Sequence, residues 1–198
     1  MIQRILVILT LILSTAVFTA SAQSLADRAG ISNTVGFGPQ IGYYNAQDAD
    51  QGNLYYGLQA RFRPGAIVGI EASVEYRGGQ EFGVGNSTVK TSFIPVTLSL
   101  LLFAPVSEYF APYGVAGLGA YFVRYKPSGV LEDLGFESDS DFNLGYHLGF
   151  GVEVPFSSNI AISFDYRYIF LNPNDNEKSF EGANFNGNTI SASLMFYF

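Results

Sequence analysis

SASLMFYF, residues 191–198, is the last stretch of the chain, and its side chains fall into two unlike sets. From Thr189 onward, Ile190, Ala192, Leu194, Phe196 and Phe198 share one parity; Thr189, Ser191, Ser193, Met195 and Tyr197 share the other. That alternation is the period of a strand with two different faces. A row of bare aliphatic and aromatic side chains on a terminal strand predicts that something other than water covers it.

The opposite end, MIQRILVILTLILSTAVFTASAQ (1–23), places Arg4 before an apolar run from Ile5 to Phe18 and the small-residue site Ala20-Ser21-Ala22. This is the pattern of a secretory signal peptide, residues 1–22, with cleavage expected after Ala22. The run is shorter than the roughly 20 residues of a spanning helix. Residues 23–32 read as a short periplasmic lead and 33–198 as one domain. There is no Cys, which excludes a lipoprotein, disulfides and thiolate metal sites.

Composition sharpens the class. Hydrophobic residues make up 48%, aromatics 16% and charged residues only 14%, yet no second stretch suits a membrane helix. An exported, apolar chain without such a helix points to a transmembrane β-barrel. The net charge of −7 becomes −8 once Arg4 leaves with the signal, which argues against nucleic acid as a partner.

Period-two segments recur at Thr34–Asn45, Asn53–Arg63, Ala66–Arg77, Val89–Phe103, Phe110–Tyr125, Phe142–Val154, Ile160–Leu171 and Thr189–Phe198. Each exceeds or matches the about 9–11 residues of a tilted membrane strand. Residues 64–65, 104–108 and 156–159 read as short turns; 45–52, 78–88, 126–141 and 172–187 read as long, polar, mostly acidic loops. Short turns on one side and long loops on the other match an outer-membrane barrel with periplasmic turns and termini. The predicted fold is all-β: an eight-stranded antiparallel up-and-down transmembrane barrel.

A soluble eight-stranded barrel is the structural competitor, and volume decides against it. So narrow an interior holds little more than side chains, so the face with the smallest residues points inward. The parity of Gly36, Gly42, Gly57, Gly117, Gly119, Gly145 and Gly149 also carries Gln40, Gln59, Ser73, Thr97 and Ser99. The other parity carries Phe37, Ile41, Leu58, Val74, Leu98, Leu118, Leu148, Phe164 and their like. Small and polar inside with large and apolar outside requires lipid around the barrel.

With the strands placed, the chain resembles the outer membrane protein β-barrel domain family, the small OmpA/OmpX-like barrels. The resemblance runs over nearly the whole mature chain. Its more specific pieces are FIPVTLSLLLF (93–103), APYGVAGLGAYF (111–122) and FDYRYIF (164–170). It implies that Phe196 and Phe198 form the signal read by the barrel-assembly machinery during insertion. Members of the family serve as anchors, adhesins, resistance factors and occasionally small pores, so family alone does not set a role.

Inward parity gathers four cations, Arg61, Arg63, Arg77 and Arg167, and four anions, Glu71, Glu75, Glu153 and Asp165. Equal numbers predict mutual neutralisation in a plugged polar lumen, with Arg61 diagonal to Glu71. The same residues would line an ion path in the alternative reading. His147, the only histidine, also points inward, and YHLGFG (146–151) offers no adjacent Ser, so no catalytic residue is assigned and the protein reads as a non-enzyme.

Glu137, Asp139 and Asp141 alternate as calcium loops often begin, but the run then enters a strand, and a solvated acidic loop is the plainer reading. No metal or cofactor is expected. The glycine repeats at 114–122 and 148–153 lie inside strands with no following helix, which rules out a dinucleotide loop.

Lys90, Arg124 and Lys126 fall on the outward parity at the loop end, where lipopolysaccharide phosphates would lie; snorkelling without a specific lipid is the alternative. The sequence thus predicts a monomeric outer-membrane barrel in contact with outer-membrane lipid and lipopolysaccharide. Its role would be adhesion or envelope integrity through extracellular loops and an unnamed ligand. A narrow porin-like transport barrel is the second reading.

Overall fold

The computed structural model describes residues 34–47, 49, 51–84, 87–104, 106–107, 109–128, 139–171 and 186–198. Residues 1–32, which hold the expected signal peptide and lead, and most of the fourth long loop lie outside the described residues.

The strands are β1 (Thr34–Ala46), β2 (Asn53–Arg63), β3 (Val68–Val84), β4 (Ser87–Phe103), β5 (Ala111–Ser128), β6 (Asp139–Pro155), β7 (Ile160–Leu171) and β8 (Gly187–Tyr197). They form one closed barrel in sequence order, and every pairing, including β1 with β8, is antiparallel. At the seam, the Phe198 N–H donates to the Val35 carbonyl at 2.9 Å and the Val35 N–H to the Phe198 carbonyl at 3.4 Å. The Phe198 ring stacks on Phe37 with centroids 5.4 Å apart. The strand that ends the chain therefore leaves no open edge.

Strand number and order follow the alternation, and the main departures are on the loop side. The β3–β4 hairpin continues to the pair Val84–Ser87, so most of the expected loop 78–88 is paired strand. A register shift between Arg77 and Gln80, with Gly79 at φ 73°, absorbs one extra residue. Glycine takes that left-handed conformation without a Cβ penalty. Likewise β6 begins at Asp139 rather than Phe142 and β5 runs to Ser128. Polar composition reads as loop, yet paired strands can carry polar residues on both faces once they rise clear of lipid.

Two prolines interrupt the ladders. The β1–β8 register skips Gly38 and Pro39 between Phe37–Phe196 and Gln40–Ser193. The β3–β4 register skips Ile94 and Pro95 between Val74–Val96 and Arg77–Phe93. Each proline lacks the N–H that its ladder needs.

The two faces are as unlike as the sequence suggests. Outward Phe37, Ile41, Leu58, Leu98, Phe150, Phe164 and Ile190 are exposed, while inward Gln59, Arg61, Glu71, Ser99 and His147 are buried. Polar filling is only part of the interior, however. Tyr44, Ala46, Tyr55, Phe93, Tyr121, Val123, Ile169 and Leu171 form a buried apolar cluster toward the loop end. Leu101, Phe103, Ala111, Tyr113 and Val115 form another at the turn end, with Ala161, Met195 and Tyr197 as a third.

Inward glycines make room for these rings. A Cβ on Gly42 would lie 2.4 Å from the Tyr55 ring, and one on Gly119 2.7 Å from Tyr121. A Cβ on Gly36 or Gly151 would meet Tyr197 or Tyr113 at 2.6 Å. The small-residue face is thus the floor on which large inward side chains lie.

Candidate functional site

The charged residues of the lumen sit between the apolar clusters, and short-range register begins their assembly. Arg61 is directly opposite Glu71 across β2–β3, closer than the diagonal relation expected from the turn. The Arg61 Nε and Nη2 donate to Glu71 Oε2 at 3.0 and 2.6 Å. The corrected register follows from the turn, which spans 64–67 rather than 64–65.

Other partners come from across the barrel. Arg61 Nη1 reaches Glu153 Oε2 on β6 at 2.5 Å and Ser163 Oγ on β7 at 3.1 Å. Arg167 Nη2 on β7 reaches Glu71 Oε1 on β3 at 2.8 Å and its own neighbour Asp165 at 2.9 Å. In a ring of eight strands β2 faces β6 and β3 faces β7. Two ion pairs therefore span the full diameter. Arg63 donates to Glu153 Oε1 at 2.5 Å and lies 3.8 Å from the Phe103 ring centroid. Tyr197 Oη also donates to Glu153.

This network holds three arginines (61, 63, 167) against three carboxylates (71, 153, 165) and is neutral as a unit. Neutrality is what burial of such charges requires; the hydrogen bonding is incomplete, since the buried Arg63 Nε and Arg167 Nε have no partner among the described residues.

A second pair lies nearer the loops. Arg77 Nε donates to Glu75 Oε2 at 2.7 Å, Gln40 Nε2 to Glu75 Oε1 at 3.0 Å, and the guanidinium lies 4.7 and 4.9 Å from the Tyr44 and Tyr55 ring centroids. The space beside Tyr121, His147 and Arg167 amounts to about 10 Å³, on the scale of one water molecule.

His147 has a partner that the local sequence did not reveal. Its Nε2 stands 2.9 Å from Ser99 Oγ, although β4 and β6 are separated by β5. Gly117, paired with both Ser99 and His147, leaves the gap through which they meet. Both residues are buried, and no carboxylate hydrogen bond to His147 is seen among the described residues. The pair has the atoms of a nucleophile and a base, and both residues lie buried in the lumen.

The rim residues are set by register. Lys90 faces Lys126 and Ser92 faces Arg124 across β4–β5, while Glu81 faces Lys90 across β3–β4. Arg124 is exposed. Asp139 and Asp141 are paired within β6, and Glu137 lies outside the described residues. Among the described residues no group of three His, Asp or Glu side chains could hold a metal ion.

Sequence reasoning missed Ser99 as the histidine's partner, and the ring-bearing residues Tyr44, Tyr55, Tyr113, Tyr121 and Tyr197. The signal that finds them is an inward aromatic beside an inward glycine on the same or a neighbouring strand.

No curated protein matches this chain. Among solved structures it is similar to Neisserial surface protein A, with a TM-score of 0.61, 13% identity, and 83% of this chain and 96% of that one covered. It is similar to the outer membrane protein OprG from Pseudomonas aeruginosa, with a TM-score of 0.56, 14% identity, and 85% and 97% covered. The attachment invasion locus protein Ail of Yersinia pestis gives a TM-score of 0.52 and 15% identity, with 83% and 97% covered. At such identities these likenesses show the shared fold alone. The family model for the outer membrane protein beta-barrel domain matches residues 10–198. The chain is therefore a small, non-enzymatic barrel of the outer membrane and belongs to the outer membrane protein beta-barrel domain family.

Proposed function

We propose that this protein is a surface-exposed structural and interaction protein whose barrel is closed to solutes. In this reading the termini and short turns are periplasmic, the acidic loops are extracellular, and the barrel is a monomeric anchor for them. The observation that supports it most directly is the pair of ion bridges across the lumen diameter, Arg61–Glu153 and Arg167–Glu71, set between apolar clusters at both ends. A permeating ion would have to break buried pairs and also pass two layers of packed rings.

Adhesion fits this arrangement, because a sealed barrel leaves the loops and outer wall as its means of contact. Ail, a protein named for attachment and invasion, has also been solved with a heparin analogue, sucrose octasulfate. That ligand class does not transfer well. Stretches 126–141 and 172–187 carry net charges of −4 and −2 and would repel a polyanion, so a neutral or basic partner suits them better. Phe196 and the exposed Phe198 at the seam are the residues for recognition by the assembly machinery, and lipopolysaccharide is the lipid for the cationic rim.

Single-channel recording of the refolded protein in a planar bilayer tests the closed lumen. No stable openings are expected. Reproducible openings altered by Arg167→Ala would overturn it in favour of a narrow transport barrel. Proteolysis of intact cells tests the loops: cleavage within 172–187 without lysis is expected, and protection until lysis would reverse the topology.

A further inference from the structure

The lumen keeps one small chamber between the loop-end apolar cluster and the ion network. Its volume is about 10 Å³, room for a single atom-sized ligand. Tyr55, Tyr121 and Ile169 border it from the apolar cluster. Arg167 borders it from the network, and Glu75 and Arg77 from the second ion pair. Glycines give these side chains their room: a Cβ on Gly119 would lie 2.7 Å from the Tyr121 ring, and one on Gly149 3.0 Å from Arg167 Cγ.

Most polar groups around the chamber are matched. Gln40 and Arg77 both donate to Glu75, Tyr55 pairs with Thr189, Thr97 with Ser73, and His147 with Ser99. Two buried side-chain atoms on the border have no partner among the described residues, Tyr121 Oη and Arg167 Nε. Tyr121 is 1% exposed and Arg167 8%. Both atoms can donate, and Nε can do nothing else. A buried donor without an acceptor is costly, most of all on a charged group.

Charge selects the acceptor. The border carries two guanidinium groups, Arg77 and Arg167, against one carboxylate, Glu75. The carboxylates that hold Arg167, Glu71 and Asp165, bond its Nη2 and do not border the chamber. A cation would meet unpaired donors. A water would accept from both but bring two O–H donors of its own, and apart from Tyr121 Oη no buried side-chain acceptor on the border lacks a partner. A halide only accepts.

From this convergence of unmet donors on a cationic border we infer that the chamber binds one monatomic anion, a halide such as chloride, held by Tyr121 Oη and Arg167 Nε. The inference goes beyond the closed lumen proposed above and does not rest on it. The ion is a fixed part of the folded interior, taken up as the barrel closes. It is one charge beyond the balance of four arginines and four carboxylates in the lumen, so its occupancy depends on the halide concentration.

The test is bromide anomalous scattering from crystals of the protein refolded in sodium bromide, with folding checked by the heat-dependent gel shift. One lumenal bromide is expected within hydrogen-bond distance of Tyr121 Oη and Arg167 Nε. Tyr121→Phe, which keeps the ring and removes the hydroxyl, should lower its occupancy at least threefold. Ser193→Ala, which removes a buried hydroxyl outside the chamber, should leave it unchanged. A chamber that holds water, or nothing, in bromide overturns the site. A peak of equal strength in Tyr121→Phe marks an adventitious ion only and overturns it too. In solution, the unfolding midpoint of the parent should rise by several degrees when chloride or bromide replaces gluconate at equal ionic strength. That rise should shrink by half or more in Tyr121→Phe. Equal midpoints in the three salts overturn the inference even where a variant fails to crystallise.

Discussion

Arg61 on β2 and Glu153 on β6 face one another across the whole barrel and meet at 2.5 Å, with both side chains fully buried. Glu153 also accepts from Arg63 and Tyr197, and Arg61 also donates to Glu71. One bridge thus ties β2, β3, β6 and β8 together through side chains alone, independently of the ladder that joins neighbours.

Removing one partner leaves an uncompensated buried charge, a change that typically costs about 3–5 kcal/mol. Arg61→Ala and Glu153→Gln should each lower the midpoint of unfolding, read as the temperature at which the compact gel band is lost. The double variant Arg61→Met/Glu153→Leu should recover only part of that loss, since it removes both charges of the bridge and keeps volume but leaves buried Arg63 without its carboxylate. Additive losses in the double variant would show that the two groups are not coupled.

Gly119→Ala should destabilise the barrel by about 1–3 kcal/mol, the usual cost of overpacking. Its Cβ would lie 2.7 Å from the Tyr121 ring and 3.2 Å from the Thr97 methyl. These are side-chain atoms, so Tyr121→Leu in the same chain should remove much of the penalty. Urea midpoints of the four proteins give the coupling directly.

Gly38→Ala should be worse and should resist rescue. The Cβ would lie 1.7 Å from the Leu194 carbonyl oxygen, a backbone atom in the stretch where Pro39 gives β8 no N–H. Poor refolding yield is expected, with no side-chain truncation on β8 restoring it. Normal folding of Gly38→Ala would mean that the seam adjusts freely at this point.

Opening one end of the lumen should not make a pore. Tyr44→Ala/Tyr121→Ala clears rings at the loop end but leaves Phe103, Tyr113 and the diametric bridges in place. Planar bilayers should remain silent with this variant. Adding Phe103→Ala and Arg61→Ala should produce conductance if the barrel still folds, as judged by its gel shift.

Ser99→Ala should cost about 1 kcal/mol, the net worth of one buried hydrogen bond. It should produce no change in hydrolysis of ester or lipid substrates, which stays at background in parent and variant alike. Serine-dependent turnover in the parent would instead give the Ser99–His147 pair a chemical role.

The sequence by itself determined the strands, their order and the parity of each, because in a membrane barrel one face meets lipid and the other a narrow lumen. Ile190, Leu194 and Phe198 against Ser191, Ser193 and Tyr197 already state which solvent lies where. Gly36, Gly117 and Gly149 mark the crowded face even before the topology is known. Tertiary structure alone decided who meets whom across the lumen. Arg61 and Glu153 are 92 positions apart and on no common hairpin, and Ser99 reaches His147 only because Gly117 lies between them. The reason is geometric: local pattern fixes a side chain's face, but closure and shear of the barrel set its height and its opposite partner.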